Sequence, residues 1–285
     1  MNANLSSDDF LLFQKYIEEQ CGISIRADKA YLIESRLSKF LIKFAVASFE
    51  DLYRLLSQQQ NMVLAEEVID ALTTNETLWF REKSPWEIMN DKLLREYIDE
   101  IRQGKRTTVR IWSAACSTGQ EPYSIAMCID RYLTYHGIKD ISLANFEILA
   151  TDISNTVLQM AKRGKYDSIS MNRGLDVSYR DQYFQQEGRI WTLDEKIKQA
   201  VQFMHFNLQK SFIGFGKFDL IFCRYVAIYF SESFKKEVFK KIALSLTERG
   251  ILLLGNSEVF FEHKENYQAE HYKNAVFYRV KGGNK

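Results

Sequence analysis

The run Ser113-Ala114-Ala115-Cys116-Ser117-Thr118-Gly119 follows the apolar segment Val109-Arg110-Ile111-Trp112 and precedes a helical pattern near 122–135. In an open α/β sheet the first strand-to-helix turn is the usual ligand contact, beyond the carboxyl ends of the strands. Small side chains in this turn let a ligand approach the backbone closely. A pyrophosphate-binding loop uses three glycines, and this turn has only Gly119, which argues against a dinucleotide. S-adenosylmethionine carries no phosphate, so it needs close approach without a tight anion-binding turn. Asp152, in Ala150-Thr151-Asp152-Ile153 at the end of a second strand signal, can accept hydrogen bonds from both ribose hydroxyls. It can also cap the helix that starts near Ser154, and the two uses are compatible. Glu121 stands before Pro122 at a helix start, where exposed amides and the helix dipole favour a carboxylate. It can act as a cap or face the positively charged methionyl end of such a ligand.

The elements that must position these residues divide the chain. Residues 1 to about 75 show helical periodicity and no strand signal. Ser7 or Asp8 can cap a first helix carrying Phe10, Phe13 and Ile17, with Gly22 where a C-terminal cap belongs. A second helix from Asp28 places Ile33, Leu37, Phe40, Leu41 and Phe44 on one face, with Arg36, Lys39 and Lys43 as a separate stripe. Ser48 with Asp51 resembles a capping arrangement for a third helix carrying Leu52, Leu55 and Leu56, and a fourth runs through Val63, Val68 and Leu72. A connecting helix runs from Ser84-Pro85 to the cap-like Gly104 within a linking region, 76–104.

From 105 to 285 strands and helices alternate. Strand signals at Val109–Trp112, Phe146–Leu149, Phe218–Phe222 and Ile251–Leu254 are separated by helical stretches near 122–135, 154–163 and 231–246. This predicts a doubly wound α/β sheet of Rossmann-like type. Between about 165 and 200 the alternation lapses into a polar stretch with Arg189-Ile190-Trp191-Thr192-Leu193, too long for a bare loop and read as an inserted antiparallel β subdomain. Asn274–Val280 is expected to form a last strand, antiparallel at one edge of the sheet.

Composition narrows the function. The chain is 46% hydrophobic and 26% charged with a net charge of +1, so long-range attraction to nucleic acid is not expected. No stretch approaches the roughly 20 apolar residues of a membrane span, and no secretory signal is recognisable, which predicts a cytoplasmic protein. The four cysteines, Cys21, Cys116, Cys128 and Cys223, form no CxxC pair and the four histidines are scattered. Free thiols and no metal site are expected.

Taken in order, several segments resemble the CheR family of chemotaxis receptor methyltransferases. They are Leu72-Thr73-Thr74-Asn75-Glu76-Thr77-Leu78-Trp79-Phe80-Arg81-Glu82, Trp112 to Ser124, Ala150-Thr151-Asp152-Ile153, Asn207-Leu208, Phe218 to Arg224 leading to Ile228-Tyr229-Phe230, and Gly255-Asn256-Ser257-Glu258. The resemblance spans nearly the whole chain. It implies a class I methyltransferase domain joined to a helical receptor-binding domain, esterifying glutamates in the cytoplasmic helices of methyl-accepting receptors. S-adenosylmethionine would be the methyl donor and S-adenosylhomocysteine the product. Carried over by the resemblance, Asn75, Thr77, Arg81, Glu121, Asp152, Asn207, Leu208, Arg224 and Tyr225 are expected at the cofactor, with Arg81 and Tyr229 flanking the reactive methyl group. Three positions depart from the family pattern. Cys223-Arg224-Tyr225 stands where Cys-Arg-Asn is usual, Gln120 replaces a frequent glutamate, and Asn256 stands where histidine or glycine is commoner.

Such a reaction needs no general base, since a glutamate carboxylate, with a reference pKa near 4.3, is already ionised at neutral pH. The lack of a Ser/His/Asp or Cys/His set agrees. Arg81 is the candidate to orient the incoming carboxylate, against an ordinary ion pair with Glu82 or Glu76; Tyr229 can position the donor or be a core aromatic. The Arg36, Lys39 and Lys43 stripe is either a solvated helix face or a dock for an acidic receptor helix. Edge pairing by the β subdomain could hold a receptor tail peptide. A monomer is expected. The competing functions are a non-catalytic signalling module of the same fold, suggested by Tyr225, and a methyltransferase acting on nucleic acid or a small metabolite.

Overall fold

The computed structural model describes residues 4–58, 61–258, 265–273 and 275–281. They fall into two compact units: Met1–Thr74 with Asn207–Lys210 and Ile228–Val238, and Asn75–Phe206 with Ser211–Ala227 and Phe239–Lys285.

The first unit is helical: α1 (Ser7–Cys21), α2 (Ala30–Lys43), α3 (Phe49–Ser57) and α4 (Met62–Leu72). Ser6, rather than Ser7 or Asp8, is the N-cap of α1. Only Ser6 has an acid three residues on, and Asp9 closes the capping box: its N–H donates to Ser6 Oγ at 3.0 Å and its carboxylate accepts from Ser6 N at 3.1 Å. Gly22 ends the helix at φ +73°, and a Cβ there would lie 2.0 Å from the Phe234 ring, so both conformation and packing require glycine. Ser48 caps α3 through the N–H of Asp51, as expected. In α4, Leu64, Val68 and Leu72 are buried at four-residue steps, leaving Val63, one residue out of phase, 70% exposed.

Two side chains close helix ends that would otherwise leave carbonyls unsatisfied. Arg36 Nη1 donates to Leu72 O at 2.8 Å and Thr73 O at 3.0 Å, capping α4. Asn207 Nδ2 donates to Gln20 O at 2.7 Å and Gln209 Nε2 to Glu18 O at 2.9 Å, which joins residues 207–210 to the end of α1.

The second unit opens with α5 (Ser84–Ile88), which has Pro85 in its first turn, then a π-helical stretch (Met89–Leu93) and α6 (Leu94–Arg102). The sheet strands and helices follow as β1 (Val109–Ala114), α7 (Gln120–Tyr135), β2 (Phe146–Asp152) and α8 (Asn155–Arg163). Next come β3 (Lys165–Asp167), α9 (Ser168–Met171), α10 (Val177–Tyr183), β4 (Phe184–Glu187), β5 (Ile190–Leu193), α11 (Glu195–Gln199) and β6 (Val201–His205). After β7 (Phe218–Cys223) the chain continues through α12 (Glu232–Ser245), β8 (Leu246–Leu253), β9 (Tyr267–Tyr272) and β10 (Ala275–Val280).

The main sheet has seven strands in the order β6-β2-β1-β7-β8-β10-β9. β6, β2, β1, β7 and β8 run parallel. Every residue of β7 is buried, as a strand covered on both faces demands. The insertion is a separate three-stranded antiparallel sheet, β3-β5-β4, carrying α9 and α10 between its strands. The last strand, β10, is antiparallel but is not at an edge: β9 pairs outside it, with Phe277 opposite Glu270. Asn274, where the sequence reading starts this strand, lies outside the described residues. Among the described residues no helix is long and apolar enough to cross a membrane.

Candidate active site

Strand order reverses between β1 and β7, with β2 beyond β1 on one side and β8 beyond β7 on the other. Ala114 is in register with both Thr151 and Cys223. The carboxyl ends of three parallel strands therefore finish level, and their next residues, Ala115, Asp152 and Arg224, meet at one edge. A crevice at such a switch point is where this architecture binds ligands.

The β1–α7 turn takes its shape from backbone strain and close packing. Ala115 and Ser117 adopt φ +60° and +50°, and Gly119 adopts φ +91°. A Cβ on Gly119 would lie 2.9 Å from Ala161 Cβ and 3.2 Å from Tyr123, so this glycine lets the turn pack against α8. Asp152, 6% exposed, holds the turn: its Oδ2 accepts from Ser117 N at 2.8 Å and its Oδ1 from Ser154 N at 2.9 Å. The cap of α8 is Ser154, whose hydroxyl accepts from Val157 N at 3.2 Å. Asp152 thus has a carboxylate whose rotamer is fixed at the carboxyl end of β2, between the β1–α7 turn and the start of α8.

Glu121 lies in the first turn of α7 but caps no amide. Its Oε1 accepts from Ser113 Oγ at 2.8 Å and its Oε2 from Arg224 Nη1 at 2.9 Å. Arg224, with its side chain 1% exposed, also pairs with Glu82 at 2.7 Å and donates to Arg81 O at 2.5 Å. One buried guanidinium thus ties β7 to α7 and to the loop between Leu78 and Ser84. Burying it is tolerable only because two carboxylates and a carbonyl surround it.

The segment from Asn75 into that loop is pinned elsewhere as well. Ser117 Oγ donates to Asn75 O at 2.9 Å, Trp79 N to Arg173 O at 3.0 Å, and Phe80 N to Ser124 Oγ at 3.1 Å. Thr77 is half-buried in the same extended segment. Arg81 lies between two residues in the left-handed region, Phe80 at φ +46° and Glu82 at φ +62°. Its guanidinium carbon is 3.5 Å from the centroid of the Tyr225 ring, and its Nη1 donates to Glu76 O at 3.3 Å. Tyr225, at φ +58°, donates its hydroxyl to Glu82 Oε1 and its N–H to Glu258 Oε2 at 2.6 Å. Burial holds the Glu258 carboxyl above its ordinary pKa, against the backbone N–H groups of Tyr225 and Gly255, which lower it.

The structure brings Asn75, Thr77, Arg81, Glu121, Asp152, Arg224 and Tyr225 into the α/β unit, around the ends of β1, β2 and β7. Asn207, Leu208 and Tyr229 belong to the helical unit with Arg36, Lys39 and Lys43. There Tyr229 is half-buried at the end of a short 3-10 turn (Ala227–Tyr229), its carbonyl accepting from Ser24 N at 2.8 Å; Leu208 is buried. Lys43 pairs with Glu67, and Lys39 is exposed. Sequence reasoning assigned no role to Ser113, Ser117 or Glu258, and took Glu82 only as a partner of Arg81. The signal for Glu258 lies in Gly255-Asn256-Ser257-Glu258, a segment of the family resemblance whose chemistry is not legible from the sequence. Among the described residues no group of His, Cys, Asp and Glu is arranged to hold a metal ion.

A mixed sheet with a parallel core, and a crevice where its strand order reverses, is the doubly wound architecture of a class I methyltransferase. Comparison with known proteins narrows this further. Residues 75–276 match the CheR methyltransferase SAM binding domain, and residues 8–73 match the CheR methyltransferase all-alpha domain. The chain belongs to the CheR methyltransferase family. It is 39% identical to the chemotaxis protein methyltransferase Cher2 of Pseudomonas putida over 96% of this chain and 98% of that protein. It is 40% identical to chemotaxis protein methyltransferase 1 of Pseudomonas aeruginosa over 96% and 98%, and 40% identical to the chemotaxis protein methyltransferase of Vibrio parahaemolyticus over 97% and 98%.

Proposed function

We propose that this protein is a cytoplasmic protein-glutamate O-methyltransferase that esterifies glutamates on the helices of chemotaxis-type receptors. The observation that carries the reading is Arg81, held at the carboxyl edge of the sheet by Arg224 and stacked on Tyr225. Among the described residues no carboxylate forms an ion pair with it, since Glu82 is engaged by Arg224 and Tyr225. A cation so placed can receive a substrate carboxylate. S-adenosylmethionine, when bound, supplies an electrophilic methyl on a sulfonium, which a carboxylate oxygen takes to leave a methyl ester and S-adenosylhomocysteine.

The protein's own part is positioning. Asp152 suits the ribose hydroxyls and Glu121 the methionyl ammonium, with Asn75, Thr77, Asn207, Leu208 and Arg224 completing the cofactor contacts that the resemblance assigns. Arg81 orients the nucleophile, and Tyr229 aligns the donor through its hydroxyl. Alignment of this kind can contribute on the order of 7–11 kcal/mol. Contact between Arg81 and the carboxylate must stay loose, because a tight bidentate pair would stabilise the ground state more than the transition state. Residues 1–75 form the receptor-binding domain in this reading, and 105–285 the transferase domain. Lys39 and Lys43 dock an acidic receptor helix, and the β3-β5-β4 sheet offers edges that suit an extended receptor tail. The protein acts as a monomer.

The test is transfer of radiolabelled methyl from S-adenosylmethionine to purified receptor cytoplasmic fragments, followed by mild alkali. An ester releases its label as volatile methanol, whereas N-methyl label stays on the protein. Label that resists alkali, or transfer that Arg81→Ala leaves unchanged, overturns the reading.

A further inference from the structure

We propose that Tyr225 is a positioning residue for methyl transfer: its ring carries the Arg81 guanidinium and fixes the direction from which that cation meets the substrate carboxylate. The proposal rests on the role given to Arg81 above.

Three observations support it. The guanidinium carbon is 3.5 Å from the ring centroid, well inside the roughly 6 Å reach of a cation–π contact. An arginine on a loop has several torsions to fix, and a flat ring beneath it removes most of that freedom. The second observation is how firmly the tyrosine itself is held. Its backbone sits at φ +58°, a region that costs a bulky residue energy and that asparagine, usual at this position in the family pattern, adopts more cheaply. Glu258 accepts its N–H, Glu82 accepts its hydroxyl, and Gly255 leaves space for the ring, since a Cβ there would lie 2.7 Å from Tyr225 Cε2. Two separate segments, the one around Glu82 and Gly255–Glu258, therefore converge to keep a strained tyrosine in place. Third, burial and the Glu82 carboxylate raise the Tyr225 pKa, so the phenol stays protonated and keeps donating to Glu82. Glu82 is thereby drawn away from Arg81, whose charge stays available to the substrate.

The experiment is steady-state methylation of a receptor fragment by native protein, Tyr225→Phe, Tyr225→Asn, Arg81→Ala and the double variant Arg81→Ala/Tyr225→Asn, each checked for native melting. Tyr225→Asn removes the ring while tolerating the backbone conformation, and it should lower kcat/KM for the receptor roughly tenfold. Tyr225→Phe keeps the ring face and should stay within roughly threefold of native. In the Arg81→Ala background, Tyr225→Asn should add no further loss, because its effect passes through Arg81. The proposal is overturned if Tyr225→Asn behaves as native, if Tyr225→Phe loses as much as Tyr225→Asn, or if the two losses multiply. A native rate for Arg81→Ala overturns the role of Arg81 itself, which is a separate outcome.

Discussion

Replacing Arg224 with methionine keeps the volume of the side chain and deletes its charge and donors. With Arg224 1% exposed, Glu82 15% and Glu121 13%, the change leaves two largely buried carboxylates without their cation. Breaking a buried pair in this way costs about 3–5 kcal/mol, mostly the penalty of the orphaned charges. For a domain of this size that is a fall in Tm of about 6–20 °C. Arg224→Lys should fall in between, because one ammonium cannot reproduce a fork that reaches Glu121 by Nη1 and both Glu82 and Arg81 O by Nη2. Adding Glu82→Gln to Arg224→Met should recover part of the loss, since a neutral amide replaces one orphaned carboxylate. Thermal unfolding followed by near-ultraviolet circular dichroism measures all three. A melting point for Arg224→Met within about 2 °C of native would refute the reasoning, because the network would then contribute too little to organise the site.

Asp152→Asn should weaken S-adenosylhomocysteine binding by roughly 10- to 100-fold in calorimetric titration, through loss of charge-assisted acceptors, and an unchanged Kd would remove Asp152 from the site. Gly22→Ala should cost about 2–5 kcal/mol in urea unfolding, from the left-handed backbone and the clash with Phe234 together; a native midpoint would show that the ring moves aside freely. Burial holds the Glu258 carboxyl above its ordinary 4.5, so the fold binds that proton more tightly than the unfolded chain and loses stability as pH rises through the raised value. Glu258→Gln has no proton to lose, so its melting advantage over native should be larger at pH 8 than at pH 4, and an equal difference at both contradicts the assignment. Lys39→Glu with Lys43→Glu should slow receptor methylation several-fold at low salt while leaving S-adenosylhomocysteine affinity intact; identical receptor kinetics would show the stripe to be only a solvated face.

The amino-acid sequence alone determined the elements whose stability is local or whose faces are both buried. α1 was legible from its spacing and its closing Gly22, though its N-cap is Ser6 and not Ser7 or Asp8, α3 from its cap and spacing, and β1, β2, β7 and β8 from short apolar or mixed runs, of which β7 is buried throughout. β6 and β9 escaped notice for the converse reason. They are the two edges of the sheet, and segments such as Tyr267–Tyr272, buried at Tyr267 and mostly exposed beyond it, carry no apolar run to betray them. Missing β9 is also what put the last strand at an edge.

At the site, Asp152 and Glu121 could be picked out because their positions follow from strand and helix ends, which are local facts. The alliances among the charged groups could not. Arg224 and Tyr225 reach Glu82 across 142 and 143 residues of chain, and only the order of strands in the sheet decides that these groups meet. Glu82 follows Arg81 directly, yet its oxygens are taken by the buried Arg224 guanidinium and the Tyr225 phenol, two groups far away in the chain. Arg36 was likewise grouped with two lysines by helical spacing, and the fold uses it to close the end of α4. Periodicity states which face of a helix a side chain shares; which carbonyls lie opposite that face is settled only when the chain has packed.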